Sequence, residues 1–345
     1  LYSTTSLQSN HPSTAGYALR SGLATIQPLT LNIQPLNKLP LLVLIGPTAV
    51  GKTELALQLA ERLDGEIVSA DSRYFYRGMD IGTAKPSAAE MARVRHHLVD
   101  VADPDQTWSL AVFQQAARQA IDDIHSRGKL PLLVGGTGQY IRAVTEGWTP
   151  PEVAPDARLR QVLEKMALER GEDGIYWLHA KLELLDPDAA AKIDARNLRR
   201  TVRALEVILS TGQLFSAQSS RGESAYELLT VGLSRPRGEL YQRVDERIDL
   251  MFQNGFLEEV ARLYEKGYGP DLPSMSAIGY REAGAVLRGE MSLEEAKTQM
   301  RRLTRMFVRR QSNWFKPDDP QIQWFEAGQV TSDEVAAWVK AKLKA

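Results

Sequence analysis

The chain has no cysteine among its 345 residues. That excludes disulfides, thiolate metal sites and cysteine nucleophiles, and it is compatible with a reducing compartment. Charge of one sign is lacking as well: 42 basic residues face 43 acidic ones, for a formal net charge of −1. Any nucleic-acid partner must therefore be met by a local basic surface, not by the protein as a whole. No apolar run approaches the roughly 18 residues of a membrane span, so the reading has no membrane partner and a cytoplasmic location. Internal repeats and zinc-ligand spacings are absent. Residues 1–38 lack acid altogether, carry many Ser and Thr, and hold only Arg20 and Lys38 as fixed charges. This is a disordered or transit-like tail; its shortage of arginine favours the plain tail over organellar targeting, and it is set apart from the fold. What remains is ordinary for a globular protein, with 43% apolar and 25% charged residues.

Against that background one stretch stands out. Leu41 to Ile45 is a continuous apolar run, as a strand buried on both faces reads. It leads into Gly46-Pro47-Thr48-Ala49-Val50-Gly51-Lys52-Thr53, which fits G-x-x-x-x-G-K-[ST] at every fixed position. Leu55, Ala56, Leu59 and Leu63 follow at helical spacing. Strand, glycine loop and helix occur in the order a phosphate-binding loop requires. Gly46 and Gly51 let backbone N–H groups converge on phosphate oxygens, and the helix N-terminus adds partial positive charge. Lys52 supplies a point charge, and the Thr53 hydroxyl can ligate Mg²⁺. By average residue usage the pattern arises by chance in roughly one chain in 100 of this length. It points to a nucleotide or another phosphate ligand without saying which.

Further along, Glu66 to Ser72 reads as a second strand that delivers Asp71 at its end, where open α/β sheets present functional side chains. A loop rich in Gly, basic and aromatic residues runs from Arg73 to Pro86. His96 to Val101 reads as a third strand, with one of its two histidines buried and neither a metal ligand. Helical periodicity covers 109–125, and Lys129 to Gly135 is another buried strand, followed by a helix over 139–146. Many P-loop ATPases place an acidic, metal-orienting residue at the end of such a strand. Here it ends in Gly135-Gly136-Thr137, which argues against ordinary ATP hydrolysis. Composition shifts at Trp148 to Pro155, and helices at 156–170, 172–185 and 196–210 make an all-α insertion. Arg196, Arg199, Arg200 and Arg203 lie there with no acid until Glu206. A strand at 228–234, a helix carrying Arg243 and Arg247, a turn-rich loop at 273–281, a helix at 280–288 and a long helix at 292–315 follow. From Lys297 to Lys316 there are seven basic residues and no acidic one, a pattern that suits a polyanion. A short strand at 321–325 and a helix at 332–343 close the chain.

These pieces predict an α/β fold, a P-loop NTPase-like parallel sheet flanked by helices with an all-α insertion domain. The core spans 39–147 and 228–345, and the insertion 148–227. Three chemistries fit: a kinase of small metabolites, an ATP-driven RNA-binding protein, and a transferase whose leaving group is diphosphate. In the last, Lys52, Thr53, Thr137 and an arginine hold the departing diphosphate, Mg²⁺ neutralises it, and Asp71 takes a proton from the nucleophile.

The residues resemble one family closely, the bacterial tRNA dimethylallyltransferases. The matching segments are Gly46–Thr53, Asp71-Ser72-Arg73, Tyr76–Pro86, Leu132–Gly138, Arg203–Val207, Ile278–Arg281, Arg309-Arg310-Gln311 and Trp314-Phe315, in family order over about 40–326. The resemblance implies transfer of a dimethylallyl group from dimethylallyl diphosphate to N6 of the adenosine 3′-adjacent to the anticodon, tRNA position 37. The tRNAs are those reading U-starting codons, the metal is Mg²⁺ at Thr53, and the enzyme is a monomer. Carried over residue by residue, it makes Asp71 the general base, with Thr137 and Arg247 steadying the diphosphate. It assigns tRNA contacts to Asp71, Ser72, Arg73, Tyr74, Thr137, Arg160, Arg199, Arg200 and Arg203. Further contacts fall on Ser276, Gly279, Tyr280, Arg281, Arg309, Arg310, Gln311, Trp314 and Lys316, and the insertion grips the anticodon arm. The chain departs from the family at Tyr74-Phe75, where smaller or polar residues are common, and at Gln139. It has no zinc-finger tail. An adenylate isopentenyltransferase shares the loop and the base, but has no need of the basic helix or the insertion.

Overall fold

Strand β1 (Pro40–Ile45) lies inside a six-stranded sheet, and its residues 41–45 are completely buried. Alternation sends Leu42 and Leu44 to one apolar cluster and Leu41, Val43 and Ile45 to another. A strand with both faces covered has to read as an unbroken apolar run, and each such side chain contributes about 1.5–3 kcal/mol by leaving water. The computed structural model describes residues 38–148, 151, 153–218 and 222–344. The expectation for the tail at 1–37 lies outside the described residues.

The elements run β1, α1 (Lys52–Leu63), β2 (Gly65–Ser69), α2 (Ala88–Arg93), β3 (His96–His97), α3 (Leu110–Ser126), β4 (Leu130–Gly135) and α4 (Gly138–Thr145). Helices α5 (Ala157–Leu168), α6 (Gly174–Leu185), α7 (Pro187–Ala190), α8 (Leu198–Thr211) and α9 (Phe215–Gln218) follow. The sheet resumes with β5 (Glu227–Ser234), then α10 (Arg237–Gln253), α11 (Phe256–Glu265), α12 (Tyr280–Leu287), α13 (Leu293–Gln311), β6 (Ile322–Glu326) and α14 (Ser332–Leu343). The strand order is β3-β2-β4-β1-β5-β6, and every pairing is parallel. The carboxyl ends of β1, β2 and β4 therefore open on one side, where open α/β sheets bind ligands.

Three expectations are adjusted. The third strand stops at His97, because Leu98 (φ 61°) and Asp100 (φ 55°) adopt left-handed backbone that a strand cannot continue through. Neither histidine is fully buried, and each is bonded: His96 Nδ1 to Val94 O and His97 Nε2 to Glu66, both at 2.8 Å. Helix α13 ends at Gln311 rather than 315, and the chain then turns so that Trp314 packs on Gly138, where a Cβ would lie 2.1 Å from the indole. The helices between β4 and β5 bury an apolar cluster of their own, built on Leu163, Leu178, Leu182, Val202 and Leu205. Among the described residues no helix is long and apolar enough to cross a membrane.

Candidate active site

The loop after β1 bends through left-handed backbone at Ala49 (φ 66°) and Gly51 (φ 111°). A side chain at Gly46 would meet the Leu233 carbonyl at 2.8 Å, so only glycine lets the loop leave the sheet there. Lys52 is folded back onto its own loop, donating to the carbonyls of Gly46 at 3.0 Å and Pro47 at 2.8 Å. Burial pushes its pKa down to about 8; the Asp71 charge offsets part of that fall and Arg247 adds to it.

A cavity of about 540 Å³ lies beside this loop. Thr48, Ala49, Gly51, Lys52, Thr53, Asp71, Tyr74 and Arg247 all line it, so three parts of the sequence meet there. Asp71 follows β2 in an Asx turn: one carboxylate oxygen accepts the Arg73 N–H at 2.9 Å, leaving the second oxygen for a proton. Arg247 comes from α10 and donates to the Thr83 carbonyl at 2.8 Å, which fixes its guanidinium against the 80–86 loop. The Tyr74 hydroxyl donates to the Ala84 carbonyl at 2.8 Å, and burial together with the Asp71 charge raises its pKa strongly. Its neighbour Phe75 points the other way, fully buried with Trp108, Phe113 and Tyr140. Thr137 caps α4 by position, yet its hydroxyl makes no capping bond. It lies two residues past Gly135, which lines the cavity, and is not itself in the wall.

Sequence reasoning missed several supports of this cavity. Arg243 donates to the Ala49 carbonyl at 2.8 Å and braces the loop from α10. Lys85, with only 2% of its side chain exposed, bridges Asp80 and Asp100, each at 2.6 Å. Glu259 on α11 is buried and accepts the N–H groups of Asp80, Ile81 and Gly82 at 3.0, 2.7 and 3.1 Å. Helix α11 has no counterpart in the sequence expectations.

The expected RNA contacts sort by exposure. Arg199, Arg200, Ser276, Arg281, Arg309, Arg310 and Lys316 are exposed. Ser72 is half-buried, and Arg73 is tied to the Ser274 carbonyl at 3.2 Å. Arg160 and Arg203 clasp the fully buried Glu206, with contacts of 2.8–2.9 Å from Arg160 and 2.6 Å from Arg203. Burial alone would raise that carboxyl; the hydrogen bonds from the two arginines outweigh it and hold the pKa below the usual range. Four more of the expected contacts are not exposed in the free protein. Tyr280 and Gly279 are buried, because the Tyr280 ring packs edge-on against Phe256 and its hydroxyl is taken by Glu259. Gln311 is buried too, with both ends of its amide bonded inside the protein. Trp314 is half-buried, with Arg142 near its ring at 5.7 Å.

A second cleft, about 600 Å³, lies between α10 and α13 and is lined by Tyr241, Asp245, Thr298, Arg301, Arg302, Arg305 and Arg309. Arg301 is paired with Asp249 at 2.8 Å, and Arg305 with Asp245. Arg302 and Arg309 are exposed and have no ion pair among the described residues. A basic face of this kind can meet a polyanion.

Comparison with known proteins agrees with this geometry. The family model described as IPP transferase matches residues 74–318. A tRNA dimethylallyltransferase from Roseiflexus sp. (strain RS-1) is 51% identical over 278 residues, covering 81% of this chain and 90% of the relative. One from Thermomicrobium roseum is 46% identical over 290 residues, covering 84% and 87%. Among solved structures, the tRNA isopentenylpyrophosphate transferase of Bacillus halodurans aligns with a TM-score of 0.66 at 41% identity, over 89% of this chain and 97% of that one. A eukaryotic dimethylallyltransferase acting on tRNA aligns with a TM-score of 0.71 at 27% identity, over 88% and 77%. With a phosphate loop, a strand-end carboxylate and an arginine around one cavity, and with relatives of this identity over most of its length, the chain belongs to the IPP transferase family of tRNA prenyltransferases.

Proposed function

We propose that this protein transfers a dimethylallyl group from dimethylallyl diphosphate to N6 of the adenosine at position 37 of tRNAs that read U-starting codons. The observation that carries the proposal is the meeting of Lys52, Thr53, Asp71 and Arg247 around one cavity. The C1–O bond of the donor breaks and a C1–N6 bond forms, and the N6 proton goes to the free oxygen of Asp71. The bonding pair leaves with the diphosphate, which the loop N–H groups, Lys52 and Arg247 receive. For this Lys52 has to release the Gly46 and Pro47 carbonyls, an exchange that an incoming anion favours. The Thr137 hydroxyl, free of a capping bond, is the further donor that the family resemblance assigns to the diphosphate.

The residues fit a magnesium ion. The described residues offer no cluster of three or more His, Cys, Asp or Glu, so a metal here needs oxygens from the substrate. Mg²⁺ is commonly held in this way, by few protein oxygens plus phosphate and water, and the Thr53 hydroxyl is such a ligand. When bound it would neutralise charge on the diphosphate.

The target adenine has to leave its stack to reach Asp71. Exposed Arg199, Arg200, Arg281, Arg309, Arg310 and Lys316 hold the anticodon stem and loop around it, and the helices at 157–218 close on the arm from the side. The enzyme works as a monomer. Incubation with labelled dimethylallyl diphosphate, Mg²⁺ and either tRNA or AMP tests the proposal. Label in tRNA supports it. Label only in AMP would make the protein an adenylate isopentenyltransferase.

A further inference from the structure

The strand next to β1 ends without the acid that ATP-hydrolysing P-loop proteins carry, and the structure shows what stands there instead. Gln311, the last residue of α13, reaches between the phosphate loop and the turn after β4. Its Oε1 accepts the Thr48 N–H at 2.8 Å, and its Nε2 donates to the Gly136 carbonyl at 3.0 Å. The contact is close: a Cβ at position 136 would lie 2.4 Å from that Nε2, so a side chain there would displace the amide. The end of α13 does not depend on this bridge alone, since Trp314 packs on Gly138 three residues further on.

In loops of this type the backbone and the lysine cradle the β- and γ-phosphates, and the acid at the neighbouring strand end serves the metal beside them. A terminal third phosphate thus occupies the gap between loop and strand end. Here that gap is spanned by a neutral amide. The amide removes the Thr48 N–H from the anion-binding nest, and it turns an oxygen with lone pairs toward the loop.

We propose that Gln311 is a specificity-determining residue that closes the phosphate loop to a third phosphate. The site then accepts diphosphate and excludes nucleoside triphosphates. The inference rests on the diphosphate reading above and adds a residue that enforces it.

The test is titration calorimetry of the full chain with inorganic diphosphate and with inorganic tripolyphosphate, for wild type, Gln311→Ala and Gln311→Ser. Wild type binds diphosphate at least about tenfold more tightly, and the variants narrow the ratio to about threefold or less by gaining affinity for tripolyphosphate. A misfolded protein cannot gain binding, so the expected result carries its own control. The inference is overturned if wild type binds both anions equally, if the variants keep the wild-type ratio, or if both variants lose both anions. Turnover of wild type with dimethylallyl diphosphate and tRNA is measured alongside. Turnover with an unchanged ratio sinks this inference alone, whereas wild type that binds no diphosphate sinks the site reading as well.

Discussion

The Tyr280 hydroxyl donates to the buried Glu259 carboxylate at 2.6 Å, and the same carboxylate receives three successive backbone N–H groups, from Asp80 to Gly82. This pair is the floor under the loop whose Thr83 carbonyl holds Arg247. Glu259→Gln replaces an acceptor oxygen with a donor facing donors, so unfolding in urea should show a loss of about 2–4 kcal/mol. Tyr280→Phe removes one bond to a charged group and should cost about 1.5–3 kcal/mol. A change below about 0.5 kcal/mol for Glu259→Gln, the scale of an ordinary surface substitution, would mean that the carboxylate does not organise the loop.

Asp71 is held by the Arg73 N–H through one oxygen only. Asp71→Ala should abolish turnover, or lower kcat by at least about 10²–10⁴-fold, the range for a general base. tRNA affinity should stay within a few-fold, because the phosphates are met elsewhere. Retained turnover would assign the proton to another group.

Lys52 has a folded pKa of about 8 against an ordinary 10.5, lowered chiefly by burial. A bound diphosphate favours the charged form. Below pH 8 the lysine is already protonated; above it, binding must take up a proton, so affinity falls as pH rises, by up to about tenfold per unit. The sign for stability is opposite. Between about 8 and 10.5 the unfolded chain holds the proton that the folded chain has lost, so the destabilising contribution of this group is relieved as pH rises through that window. Diphosphate titrations from pH 7 to 9.5 in wild type and Lys52→Arg check this. Because arginine stays charged, the variant should not show the extra fall. Parallel profiles would refute it.

The arginines of α13 divide into two kinds. Arg301 and Arg305 are committed to Asp249 and Asp245, whereas Arg302 and Arg309 have no ion pair among the described residues. Arg302→Ala and Arg309→Ala should weaken tRNA binding and each reduce the slope of log K against log salt by about 1. Arg301→Ala should instead lower the melting temperature, since it removes the nearer of the two cations paired with Asp249 and leaves only Lys297 at 3.6 Å. Unchanged affinity and slope in both Arg302→Ala and Arg309→Ala would remove this face from the RNA surface.

Local patterns were legible in the sequence, and distant partnerships were not. The apolar run at 41–45, the glycine loop and the acid at the end of β2 are all short-range signals, and the sheet follows from them. The third strand was read too long because nothing in His96 to Val101 announces left-handed backbone at Leu98 and Asp100. Tyr280 is assigned to the RNA by resemblance alone, whereas its partners Phe256 and Glu259 lie on α11, a helix absent from the sequence reading. Gln311 sits within a basic, polyanion-like run, yet its two partners are 263 and 175 residues away. Arg160 and Arg203 are assigned to the RNA by resemblance, whereas both clasp Glu206, 46 residues beyond the first and buried between them. Arginines whose partner is hidden in a core carry the same sequence signature as arginines waiting for phosphate.

The most direct test of the account is nucleoside analysis of tRNA after incubation with the protein, dimethylallyl diphosphate and Mg²⁺. The account predicts isopentenyladenosine at position 37 of tRNAs reading U-starting codons with wild type, and none with Asp71→Ala. Unmodified tRNA beside prenylated AMP, or modification that survives the loss of Asp71, would contradict it.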